Sequence, residues 1–84
     1  MAGLIANPRR HAKQGDSPVI AGIAKQVRQA RVTAGLSQSD LALTCGVART
    51  TVIAIENGRP GVAIEKVQRV LSGLGLSLNV VRNE

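Results

Sequence analysis

Gln38, Arg49, Thr50, Thr51, Asn57 and Arg59 are the side chains of this chain whose types and spacing could do chemistry, and that chemistry is recognition rather than catalysis. Each can donate a hydrogen bond. An arginine offers two parallel N–H donors that match O6 and N7 of guanine, and a threonine bonds a base edge or a phosphate or rests its methyl on that of thymine. No comparable set exists for bond making or breaking. With one His and one Cys there is no Ser-His-Asp or Cys-His arrangement. The glycines do not form a phosphate loop, and Asp16, Asp40, Glu56, Glu65 and Glu84 are scattered without an acid-base pair. An enzyme is therefore not expected, nor a cofactor, nor a metal site. Eleven Lys plus Arg against five Asp plus Glu give a net charge of +6. That balance suits a polyanion such as DNA, although it also serves plain solubility.

These side chains need elements to present them. Residues 37–58 carry two short helical patterns joined by the turn Cys45-Gly46-Val47. In the first, Ser37 caps the start, Asp40 stands in the first turn, and Leu41 and Ala42 face inward. In the second, Val52 and Ile55 face inward, leaving Arg49, Thr50 and Thr51 outward and Ala54 one turn further on. Two helices so joined form a helix-turn-helix, whose second helix enters the major groove of DNA. On that geometry Arg49 and Thr50 reach bases, and Ala54 permits close approach or a methyl contact. Gln38, at the amino end of the preceding helix, is expected to meet a phosphate. Thr51, Asn57 and Arg59 are expected on phosphates too; for Asn57 and Arg59 an ordinary solvated loop is the competing reading. Ile53 is expected to point outward.

The remaining chain supplies the frame. Residues 1–16 read as a basic arm holding Arg9, Arg10, His11 and Lys13, either touching DNA or a partner protein or forming a frayed tail without a role. Ser17-Pro18 opens a helix with Ile20, Ile23, Ala24, Val27, Ala30, Arg31 and Ala34 on one face, and Gly35 ends it. A fourth helix places Ile64, Val67, Val70, Leu71 and Leu74 on one face, with Gly73 and Gly75 weakening its end. Leu76, Leu78 and Val80 then alternate with Ser77, Asn79 and Val81, the period of a strand. A lone strand leaves its backbone unpaired, so residues 76–82 are expected to pair with the same strand of a second subunit about a two-fold axis. Arg31, on an otherwise apolar face, and Glu56, at the end of the third helix, are expected to form a structural ion pair. Cys45 reads as a small buried hydrophobe. The division is an arm (1–16), a DNA-binding domain (17–75) and a dimerising strand with a short tail (76–84). No run approaches membrane-spanning length, and the start of the chain places charge after its apolar residues, the reverse of a secretory signal. A cytoplasmic, nucleoid-associated protein is expected.

Residues 27–57 resemble the xenobiotic response element (XRE, Cro-type) class of helix-turn-helix domains, which includes lambdoid phage repressors. The marks are R-x-x-x-G-L-S-Q from Arg31, D-L-A from Asp40, G-V at Gly46 and T-V-x-x-I-E-N-G from Thr51. The resemblance implies an all-α, four- to five-helix lambda-repressor-like bundle. It assigns phosphate contact to Gln38, a buried pair to Arg31 and Glu56, and base reading to Ala48, Arg49, Thr50 and Ala54. Residues 65–81, with V-Q-R-V-L-S-G-L-G-L-S-L-N-V, are similar to HipB-type antitoxins. Those are dimers paired through terminal strands that repress their own operon and bind a HipA-type serine/threonine kinase toxin. Two features depart from that pattern: Ala63 stands where a Ser or Thr cap is usual, and the chain ends three residues after Val81, without a long antitoxin tail. The expected function is a dimeric repressor on a palindromic operator, acting as the antitoxin of such a kinase. A free-standing repressor of the same class is the first alternative, and a protein-interaction module without DNA binding the second.

Overall fold

The computed structural model describes residues 17–82. The expected basic arm, residues 1–16, lies outside the described residues, as do residues 83–84. Four helices follow in order: α1 Pro18–Thr33, α2 Gln38–Cys45, α3 Arg49–Glu56 and α4 Ile64–Gly73.

Their boundaries have local chemical causes. The Ser17 hydroxyl accepts the Ile20 amide at 3.3 Å, and Pro18 occupies the first turn of α1. Ser37 and Asp40 cap α2 reciprocally: the Ser37 hydroxyl accepts the Asp40 amide at 3.0 Å, and the Asp40 carboxylate accepts the Ser37 amide at 3.2 Å. By contrast, α3 and α4 start at Ala48 and Ala63 with no side-chain cap. All four helices close alike, through a glycine of positive φ (Gly35, Gly46, Gly58, Gly75). The next amide then returns to the last turn: Leu36 to the Arg31 carbonyl, Val47 to Ala42, Arg59 to Ala54 and Leu76 to Leu71. The residue after such a glycine commonly returns an apolar side chain to its helix. Leu36, Val47 and Leu76 pack on the core in this way. After α3 the same place holds an exposed arginine, Arg59.

The core is wholly aliphatic, as a chain without aromatics requires. It unites Val27 of α1, Leu41 and Ala42 of α2, Val52 and Ile55 of α3, and Val70 and Leu71 of α4. Burying a side chain of this size stabilises by about 1.5–3 kcal/mol. Helix α3 packs against all three others, so its buried face is fixed by the bundle and its opposite face is left to solvent. Cys45 is half-buried against the core, and burial pushes its thiol above the usual pKa.

Two expectations need correction, and a third concerns a pairing that a single chain does not contain. Ile64 does not join the core and is 69% exposed; as the first residue of α4 it covers the loop side of its helix rather than the bundle. Ala34 is the exposed cap of α1 rather than part of its apolar face. No strand occurs among the described residues, and residues 76–82 are irregular in the single chain, where nothing supplies the neighbouring ladder a strand requires.

Gly73, whose type alone suggests a loosened helix end, stands close against Cys45 of α2. A Cβ there would lie 2.5 Å from Cys45 Sγ. Gly73→Ala should therefore lose about 1–3 kcal/mol by overpacking, despite the better helix propensity of alanine. Urea unfolding measures this, and adding Cys45→Ala should recover most of the loss. A net gain from Gly73→Ala alone would contradict the contact.

Candidate nucleic-acid interface

Helix α3 sorts its residues cleanly by face. Val52 and Ile55 are buried, while Arg49 and Thr50 at the amino end are exposed. Ala48 is also exposed, and with no capping side chain its methyl alone marks the entry to α3. Thr51 and Ala54 are half-buried on the flank. Ile53, expected to point outward, is half-buried as well. Past the helix, Asn57 and Arg59 are exposed. The Arg59 amide donates to the Ala54 carbonyl at 3.0 Å, which folds the loop back beside α3. Arg59 borders a small cleft of about 70 Å³ with Ile20, Ile55 and Val67. Its stem can rest there while the guanidinium remains in water.

Behind this face lies the expected ion pair, and it is larger than a pair. Arg31 Nε donates to Glu56 Oε2 at 2.6 Å and Arg31 Nη2 to Glu56 Oε1 at 3.1 Å. The third arm, Nη1, donates to the Leu36 carbonyl at 2.8 Å. The two side chains are only 14% and 4% exposed, and the hydrogen bonds that Arg31 donates to Glu56 hold its guanidinium above the usual pKa. Gln38 joins the same group: its Nε2 donates to Glu56 Oε1 at 3.1 Å. The side chain expected to be free for phosphate is thus tied to α3 by one of its two N–H bonds. Neither the Leu36 nor the Gln38 link was legible in the sequence: the first depends on how the loop after α1 folds back onto Arg31, and the second on how α2 and α3 cross.

A second support holds the turn before α3. Arg69 Nη1 of α4 donates to the Gly46 carbonyl at 3.3 Å, and Arg69 Nε to Glu65 Oε2 at 2.6 Å. The Glu65–Arg69 spacing of four residues was the available signal. The pair is exposed, so it contributes little stability by itself. It links α4 to the Gly46 carbonyl in the turn between α2 and α3.

No group of three or more potential metal ligands occurs among the described residues, and no helix among them is long and apolar enough to cross a membrane.

Residues 27–81 match the helix-turn-helix family model. A curated relative, the "hypothetical transcription factor" of Neisseria meningitidis serogroup B, is 37% identical over 55 residues, which cover 66% of this chain and 52% of the relative. The chain thus spans about half the length of that relative. The crystal structure of the Neisseria factor superposes with a TM-score of 0.62 at 36% identity, covering 69% of this chain and 65% of that one. The fold is also shared with a chain of the HipA-HipB-O2-O3 complex (TM-score 0.68, 23% identity, 77% and 92% covered). It is shared again with the restriction-modification controller protein C.AhdI of Aeromonas hydrophila (TM-score 0.63, 24% identity, 73% and 92% covered). An exposed α3 face on a buttressed bundle, and a family match that spans both helices of the motif, agree: the chain belongs to the XRE-type helix-turn-helix family of DNA-binding transcription regulators.

Proposed function

We propose that the chain is a dimeric, sequence-specific repressor of a palindromic operator and the antitoxin of a two-gene module, neutralising a HipA-like serine/threonine kinase toxin in the bacterial cytoplasm. The observation that carries the DNA part is the exposed amino end of α3, where Arg49 and Thr50 stand clear of a bundle that packs the opposite face. Ala48, Arg49, Thr50 and Ala54 read bases; Gln38, Thr51, Asn57 and Arg59 hold phosphates. Each subunit sets one α3 in a major groove, with half-sites one DNA turn or a multiple apart.

The dimer reading is supported by what residues 76–82 leave uncovered. Val80 is 101% and Val81 79% exposed. Val19, Ile23, Leu71, Leu76 and Leu78 border an open groove of about 300 Å³ between α1 and this segment. A second copy pairing along Leu76, Leu78 and Val80 would satisfy the segment's backbone and cover this groove together. Deletion of residues 76–84 should halve the mass read by light scattering; an unchanged dimer mass would remove the segment from that role.

The antitoxin reading is supported by the fold shared with a chain of the HipA-HipB complex and by the similarity of residues 65–81 to HipB-type proteins. The free-standing repressor is the second reading, favoured by the likeness to the Neisseria transcription factor. Pull-down of the native complex decides between them. A kinase-sized partner held at stoichiometric amounts supports the antitoxin, and the chain recovered alone supports the free-standing repressor.

A further inference from the structure

We propose that Glu56 is a positioning residue for DNA binding: its carboxylate holds the Gln38 carboxamide so that the second N–H of Gln38 faces the DNA backbone. The inference rests on the DNA-binding reading above and deepens it.

The geometry leaves Gln38 little choice. A carboxylate only accepts hydrogen bonds, so the carboxamide must turn its nitrogen, not its oxygen, toward Glu56 Oε1, where it lies at 3.1 Å. That nitrogen carries two N–H bonds, and one is now used. Glu56 is itself held, because Arg31 grips both of its oxygens. Arg31 is anchored in turn by the Leu36 carbonyl. Leu36, Arg31, Glu56 and Gln38 therefore form one chain of contacts from the α1–α2 loop, through α1 and α3, to the first residue of α2. An unheld glutamine at a helix start would have to be ordered when it met a phosphate; this one is ordered beforehand. Fixing one such side chain in advance is worth roughly twofold to tenfold in affinity per subunit. The Glu56 charge does not repel the phosphate as a free carboxylate would, because Arg31 neutralises it at hydrogen-bond distance.

A purely structural role, in which the Gln38–Glu56 bond only ties α2 to α3, predicts a different result from a double-mutant cycle. The probe is a duplex enriched from a randomised pool by the wild-type chain. Wild type, Gln38→Ala, Glu56→Asp and the double variant are titrated with it. Glu56→Asp keeps the charge that pairs with Arg31 and withdraws the carboxylate by one methylene from the Gln38 nitrogen, now at 3.1 Å. Glu56→Asp is expected to weaken binding roughly twofold to tenfold in the wild-type background and not at all when Gln38 is already alanine. The salt dependence should be unchanged, because an uncharged donor releases no counterion. Equal loss in both backgrounds would overturn the inference. A second measurement needs no variant. In the free wild-type protein, one Gln38 side-chain amide proton should show the NMR shift of a bond to carboxylate, and on adding duplex the other should move while the first stays. If the first bond is lost on binding, Glu56 does not position Gln38. A wild-type chain that enriches no duplex overturns the DNA-binding reading itself, before any variant is compared.

Discussion

Arg31→Ala is expected to destabilise the domain by about 3–5 kcal/mol, the loss typical when one member of a buried ion pair is removed. Glu56, whose side chain is 4% exposed beside Arg31, would keep only the neutral Gln38 amide as a partner, and the Leu36 carbonyl would lose its side-chain donor. Small domains are stable by only about 5–15 kcal/mol in total, so much of the variant population should be unfolded under mild denaturant. Urea unfolding followed by circular dichroism measures this. Because the damage lies mainly in the stranded charge, Arg31→Met combined with Glu56→Leu should return part of the loss. A double variant worse than Arg31→Ala would place the cost in packing instead. The pair is not an alkaline switch. Glu56 raises the Arg31 pKa in the folded state, so its contribution is fully present below the unfolded-state value and fades only as pH climbs through the still higher folded one, beyond any ordinary working pH.

Arg49→Ala should leave the fold intact and damage recognition. The residue is exposed at the amino end of α3, where surface substitutions change stability by about 0.5 kcal/mol or less. If its guanidinium reads guanine, the loss is about 1–3 kcal/mol per half-site, and so about 2–6 kcal/mol for a dimer that uses it twice. The loss must depend on sequence: repeating the duplex selection with the variant should relax one base position in each half-site and leave the others. A loss equal on every duplex, with a shallower salt dependence, would make Arg49 a phosphate contact.

How much of this was legible beforehand follows from what each feature depends on. The α2–α3 motif was readable because its signals are local: Ser37 as cap, Gly46 as turn, and Leu41, Ala42, Val52 and Ile55 at helical spacing. The Arg31–Glu56 pair was readable because an arginine on an apolar face requires a partner. Contacts between distant residues were not. The Gln38–Glu56 bond, the approach of Cys45 to Gly73 and the hold of Arg69 on Gly46 depend on how helices cross, which periodicity does not encode. Ile64 shows a related gap: a pattern assigns a face to a residue, but the first turn of a helix can lie beyond the bundle that the face serves. Residues 76–82 show another, since their alternation describes a strand whose ladder one chain cannot supply.

The exposed face of α3 is proposed to read DNA sequence. Fluorescence anisotropy of the wild-type chain, titrated against a selected palindromic duplex and a scrambled duplex of equal length at several salt concentrations, tests it most directly. The expected result is binding at least about a thousandfold tighter to the selected duplex, with log affinity falling linearly in log salt by about 0.9 per phosphate neutralised. Equal affinity for the two duplexes, or no binding to either at low salt, would contradict it.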